Sequence, residues 1–256
     1  MEYEEIRLLK QSDKSTVHLV REKGGSRVLV RKKLAGRHPV YQTLQKNPHP
    51  GLPRLYEVAI AEDSTTVIEE YIEGQTSGEA ELSGKQFRQV VRELCAVLEF
   101  LHGKGIIHRD IKPSNILLTE ECHVRLIDFD AARMPREGAE QDTRLLGTRG
   151  FAPPEQYGFA QTDERADIYA LGVTMEQLLG ETVRKPRYRR VIRKCRNLNP
   201  DKRYQSMRQV RQAFFPGGAP RDVGCGCADS GSDCRAWRSG TVYPAAGSRQ
   251  RIGWGG

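Results

Sequence analysis

From Phe87 to Leu101 the apolar side chains fall at Phe87, Val90, Val91, Leu94, Val97, Leu98 and Leu101. Steps of three and four predict one amphipathic helix, and Ser83 with Gln86 three residues on forms a capping box at its start. Before it the pattern is different. Short β-type runs at Ile6–Leu9, Val17–Arg21, Val28–Val30, Leu55–Ile60 and Thr65–Ile68 are separated by turn signals, Gly24-Gly25 among them. After it come two short strands, Ile116–Leu118 and Val124–Ile127, and a second helix from about Asp163 to Leu179 with Thr162 as its expected cap. A sheet-rich first part followed by a mainly helical one predicts an α+β fold in two lobes. We set the lobes at about 1–72 and 73–215.

The pattern fails after Phe215. Residues 216–256 hold ten glycines and three of the six cysteines but no lysine or glutamate, and no period of 2 or 3.6 survives. Such a segment buries too little apolar surface to offset its ordering entropy and is expected to be a disordered tail; the abruptness of the change also suggests an out-of-frame terminus. The chain has 256 residues, 38% hydrophobic and 29% charged, with a net charge of +8. No apolar run exceeds four residues, far short of the roughly 20 that span a bilayer as a helix. The acidic start, Met1-Glu2-Tyr3-Glu4-Glu5, has no apolar core of a signal peptide, so a cytoplasmic protein with free thiols is expected. Cys225, Cys227 and Cys234 lack the paired spacing of a zinc site.

Chemistry concentrates in His108-Arg109-Asp110-Ile111-Lys112-Pro113-Ser114-Asn115 and, thirteen residues past Asn115, in Asp128-Phe129-Asp130. Two carboxylates and an amide thus lie on loops flanking a β-hairpin. Phosphoryl transfer needs such a set: one carboxylate orients the attacking hydroxyl while the other, with the amide, holds Mg²⁺ on the phosphates. Lys112 adds a cation where charge builds on the transferring group. Any one of these residues alone is more often a solvated turn acid; their order and spacing together argue otherwise.

These motifs closely resemble those of the protein kinase family, whose catalytic loop reads H-R-D-x-K-x-x-N. Gly147-Thr148 through Pro153-Pro154-Glu155 is similar to the end of a kinase activation segment, Asp167–Gly172 to the start of the large lobe's central helix, and Asn199–Arg203 to the motif whose arginine pairs that glutamate. The resemblance covers residues 1 to about 215 and lies nearest bacterial Ser/Thr kinases. It implies ATP and Mg²⁺ as cofactors and a protein substrate with a Ser or Thr hydroxyl. It assigns Asp110 as catalytic base, Lys112 as phosphate stabiliser and Asn115 and Asp128 as metal ligands. It further implies a Glu155–Arg203 ion pair, an Asp167 that caps the catalytic loop, a hinge at Glu70–Ile72 for the base, and Thr148 bonded to the catalytic loop. Thr143 is the expected phosphorylation switch facing Arg109.

The first lobe departs from the family pattern. Lys10, Ser12 and Ser15 stand where a kinase Gly-rich loop has glycines, so the two hydroxyls replace a backbone cradle for phosphate. Fifteen residues past Val17 the β3 lysine falls on Lys32, with Arg31 chosen by a one-residue slip. No Asp or Glu occurs between Arg31 and Tyr56; Val40 or Tyr41 stands where the helix glutamate belongs, which leaves Lys32 mobile or held by phosphate alone. Pro39 predicts a short helix starting at Val40, and Asp130 replaces the glycine of D-F-G. A trimmed loop after Leu179 leads into a basic run, 184–196, that is either a solvated helix face or a surface for an acidic partner; with Tyr188 as its one aromatic, nucleic acid is disfavoured. Two other readings stand beside a Ser/Thr protein kinase: a non-enzymatic pseudokinase that binds partners, and a small-molecule phosphotransferase, which would lack the Pro-Pro-Glu and Asn199–Arg203 motifs.

Overall fold

The structure, a computed structural model, describes residues 2–134, 148, 150–157, 162–179 and 186–216. Thr143, Gly147, Arg184, Lys185 and all of the tail beyond Pro216 lie outside the described residues. The chain begins with β1 (Tyr3–Gln11), β2 (Ser15–Glu22) and β3 (Val28–Ala35), crosses α1 (Val40–Lys46), and returns as β4 (Leu55–Ile60) and β5 (Ser64–Glu70). The five strands form an antiparallel sheet in the order β1-β2-β3-β5-β4. Alternation sorts their side chains. Val30, Lys32 and Leu34 of β3 are buried, Leu34 within the main core, whereas Arg31 turns to the other face and pairs with Glu5. That face has its own small apolar cluster of Val20, Leu29 and Ile68. Lys32, not Arg31, therefore stands on the face that meets the second lobe.

The second lobe opens with β6 (Gln75–Thr76) and α2 (Gly84–Gly103), followed by β7 (Ile116–Leu118) and β8 (Val124–Leu126), which join β6 in a three-stranded sheet. All seven periodic apolar residues of α2 are buried, and the Ser83–Gln86 capping box is formed in both directions. A cap is worth about 1 kcal/mol, each buried large apolar side chain about 1.5–3 kcal/mol, so packing decides where α2 lies and the cap only where it begins. Helices α3 (Glu164–Leu178), α4 (Pro186–Cys195) and α5 (Met207–Phe214) complete the lobe. Gly172 of α3 lets α4 come close: a Cβ there would sit 2.7 Å from the Cys195 Cβ. The core runs without a break from Leu34, Tyr41 and Val67 of the first lobe into Phe87, Leu94 and Leu98 of the second.

One cap differs from the sequence expectation. The α3 N-cap is Asp163, whose side chain accepts the Arg165 N–H, while Thr162 is buried with its hydroxyl unpartnered among the described residues. A carboxylate at the cap also meets the positive end of the helix dipole. Cys95, Cys122 and Cys195 are free and buried, and among the described residues no helix is long and apolar enough to cross a membrane.

Candidate active site

The loop from His108 to Asn115 is held in a shape it would not adopt alone. Arg109 has φ 66°, and Asp128 on the neighbouring loop has φ 67°. Left-handed backbone at a non-glycine residue costs on the order of 1–3 kcal/mol unless the surroundings fix it. Asp167, fully buried, fixes the first: its two oxygens accept the His108 and Arg109 N–H groups at 2.9 and 2.8 Å. From the other side Gln156 donates to the Arg109 carbonyl at 2.7 Å. His102 also bonds Asp167 at 2.9 Å. Burial pushes the Asp167 carboxyl up, but its histidine and backbone donors outweigh that and hold it below the ordinary value. The motifs identified Asp167; they gave no sign of His102, and Gln156 lies in the run that follows Pro153-Pro154-Glu155 with no role assigned to it by the resemblance.

Asp110 sits in a closed ring of donors. Thr148 donates its hydroxyl to Oδ1 at 2.7 Å, Lys112 donates to Oδ2 at 2.7 Å and to the Thr148 oxygen at 2.7 Å. The Asn115 amide donates to Asp110 Oδ2 and to its carbonyl, both at 2.9 Å, which leaves the Asn115 Oδ1 for another partner. The Ile127 N–H bonds the Asn115 carbonyl at 2.9 Å and ties this loop to the one bearing Asp128. Asp110, Lys112, Asn115 and Asp128 are thus brought together as the spacing predicts. Glu155 and Arg203 form the expected pair, bidentate at 2.5 and 2.9 Å, with the arginine side chain fully buried.

The first lobe covers this site with residues that the family pattern did not specify. Lys10 crosses from β1 to Asp128 Oδ2 at 3.1 Å. Burial raises the Asp128 carboxyl, but Lys32 and Lys10 prevail and hold it at about 2. Asp130 goes the other way: burial and the neighbouring Asp128 push it up. Its partner is Tyr41 of α1, which donates to Oδ1 at 3.0 Å. Lys32 is not left without a protein partner, as the first lobe's sequence implied; its ammonium lies 2.8 Å from Glu69 Oε1 of β5. The acid lies outside the stretch from Arg31 to Tyr56 because it comes from the sheet, where Thr65, Val67 and Glu69 alternate onto the buried face.

Ser12 and Ser15 turn their hydroxyls toward each other, 3.0 Å apart, and the Ser12 oxygen also accepts the Lys14 and Ser15 N–H groups. The hydroxyl closes the β1–β2 turn that glycines would otherwise shape. At the hinge, the Glu70 N–H bonds the Arg54 carbonyl at 2.8 Å and the Glu70 carboxylate pairs with Arg125. The Ile72 N–H has no backbone acceptor among the described residues. Asn115 Oδ1 and the Asp128 carboxylate are hard oxygen donors of the type Mg²⁺ prefers, and they lie on loops joined by a backbone bond; the residues fit a Mg·nucleotide.

The model of the protein kinase domain family matches residues 14–210, and the chain belongs to that family. It is similar to Serine/threonine-protein kinase D of Synechocystis sp., 36% identical over 132 residues, which are 48% of this chain and 26% of the relative. Serine/threonine-protein kinase PknB of Mycobacterium leprae is 31% identical over 142 residues, 51% of this chain and 23% of the relative. Serine/threonine-protein kinase F of Synechocystis sp. is 37% identical over 121 residues, 44% and 24% respectively. The chain spans about a quarter of the length of these relatives.

Proposed function

We propose that the chain is a Ser/Thr protein kinase of bacterial type, transferring the γ-phosphate of ATP to a protein hydroxyl in the cytoplasm, where Mg·ATP is available. The observation that carries this reading is the Asp110 carboxylate, bonded at once by Lys112, Thr148 and Asn115 on a loop tied to Asp128. Asp110 takes the proton of the incoming hydroxyl, and Lys112 stands where charge builds on the transferring group. Asn115 and Asp128 would hold Mg²⁺, which when bound would neutralise charge on the phosphate oxygens. Lys32 would bond the phosphates, the Ser12–Ser15 turn would cover them, and the Glu70 carbonyl with the Ile72 N–H would receive the base. Thr143 and Arg109 form the activation switch.

The basic helix α4 supports an acidic partner away from the cleft. Its apolar stripe, Tyr188, Val191, Ile192 and Cys195, is buried, so Arg190, Arg193 and Lys194 face outward along a groove of about 670 Å³ that Tyr204 also lines. The test of the main reading is transfer of labelled phosphate from γ-labelled ATP, with Mg²⁺, to serine or threonine of an added acceptor protein. Thermal stabilisation by Mg·ATP without transfer would point to the non-enzymatic module. Neither binding nor transfer would defeat the nucleotide site altogether.

A further inference from the structure

Helix α1 brings no acid to Lys32. Its residue nearest the expected place, Tyr41, is committed to Asp130. The partner comes instead from the adjacent strand. In the β3–β5 register Val30 stands opposite Glu69 and Lys32 opposite Val67, so Lys32 and Glu69 are diagonal neighbours on one face. Their side chains are 8% and 3% exposed, and Glu69 is the one acidic side chain within ion-pair distance of Lys32 among the described residues.

We propose that Glu69 is the positioning residue for Lys32, holding its ammonium over the phosphate site from within the sheet, so that the placement of Lys32 does not depend on α1. The inference rests on the kinase reading above for what Lys32 does, but the pairing itself does not. Stability gives no reason for the arrangement. A buried ion pair is often no better than apolar side chains of the same volume, and here the second carboxylate oxygen, Oε2, is buried without a hydrogen bond among the described residues. That leaves a polar group whose desolvation is uncompensated. What the pair provides is geometry: two strands joined by ladder bonds fix both ends, whereas a lysine on a sheet and an acid on a seven-residue helix would move with the helix. Asp128 and Asp130 add negative charge nearby and favour the ammonium form, against the effect of burial. Without Glu69 the same lysine would be drawn toward Asp128, the site proposed for metal. Glu69 therefore sets which carboxylate Lys32 serves.

Two measurements on the full chain test this. The first is side-chain ¹⁵N NMR of the Lys32 ammonium without nucleotide, assigned by its loss in Lys32→Met. A protected, ion-paired signal is expected in the wild type and in Tyr41→Phe, and a displaced or exchange-broadened one in Glu69→Gln. The second is steady-state transfer with Mg·ATP. Because misplacement of a reacting or stabilising group by about 1 Å can cost roughly 100-fold, Glu69→Gln should lose on that order in kcat with a smaller change in KM, and Glu69→Asp should recover part of it, at temperatures where all variants are folded. A Lys32 signal unchanged in Glu69→Gln, or a displaced signal with wild-type kcat, would overturn the proposal. If the wild type itself transfers no phosphate, the kinase reading and the positioning role fall together, while the NMR comparison still decides whether Glu69 is the counter-ion.

Discussion

The two walls of the cleft place their charges by opposite means. On the catalytic-loop side the groups that shape the loops are tied to backbone: Asp167 to two N–H groups, the Asn115 amide to the Asp110 carbonyl, Arg203 to the carbonyls of Asn197, Arg165 and Leu198 as well as to Glu155, and within that frame the Asp110 carboxylate and Lys112 bond side chains. On the sheet side, charged groups are tied mainly to other side chains, Lys32 to Glu69, Lys10 to Asp128 and Tyr41 to Asp130. A side chain that satisfies specific backbone groups has few substitutes, because the donors do not change with sequence. A pair of side chains can be rebuilt from another strand or helix. The first wall accordingly keeps most of the family motifs, Asp110, Lys112, Asn115, Glu155, Asp167 and Arg203 among them, whereas the second keeps Lys32 and rebuilds its partners.

That contrast can be broken or sharpened by substitution. The largest effect belongs to the backbone-tied wall. Arg203→Met leaves Glu155 buried without its partner and three carbonyls without a donor, and should cost about 3–5 kcal/mol in denaturant unfolding; a loss below 1 kcal/mol would remove the distinction between the walls. On the other wall, Tyr41→Phe deletes one bond to a carboxylate and should cost about 1.5–3 kcal/mol. The same change should relax helix α1 against the Asp128–Asp130 loop, seen as faster amide exchange through Val40–Lys46, the span of α1. If exchange is unaltered, Tyr41 does not anchor the helix.

The smallest effect lies at Lys10, whose ion pair with Asp128 has a half-exposed cationic end. Lys10→Met should change stability at neutral pH by about 0–1 kcal/mol. Its pH dependence is more informative. The Asp128 carboxyl is depressed from 3.8 to about 2 in the fold, so its contribution is complete above the unfolded value and disappears as pH falls through about 2. Removing Lys10 should raise the midpoint of that loss, which NMR titration of the Asp128 carboxyl would detect. An unmoved midpoint would leave Lys32 as the dominant cation.

Much of this molecule is legible in its sequence because one physical constraint dominates at each legible place. Apolar period alone places α2, whereas strand alternation sets Lys32 and Arg31 on opposite faces and the burial of Lys32 decides between them. Asp110, Lys112, Asn115 and Asp128 converge because their loops flank one tight hairpin, β7–β8. Glu69 was hidden for a different reason. Its acid sits beside Glu70 at the end of an apolar strand and looks like a solvated hinge residue; only the β3–β5 register shows that one of the two is buried. Tyr41 and Asp130 are each odd against the family pattern, and their oddities explain one another only in three dimensions. The Thr162 cap expectation failed because two adjacent residues could both cap, and the buried position of Thr162 left the role to Asp163.

The central claim is that the catalytic-loop wall performs phosphoryl transfer with Asp110 as its base. Intact-mass spectrometry of wild type and Asp110→Asn, each incubated with Mg·ATP after phosphatase treatment, tests it most directly. Loss of a general base typically costs about 10²- to 10⁴-fold, so phosphate should accumulate on wild-type serine or threonine and be slowed by that factor in Asp110→Asn, which should still bind nucleotide. Equal phosphate on both proteins, or none on either with nucleotide bound, would contradict the account.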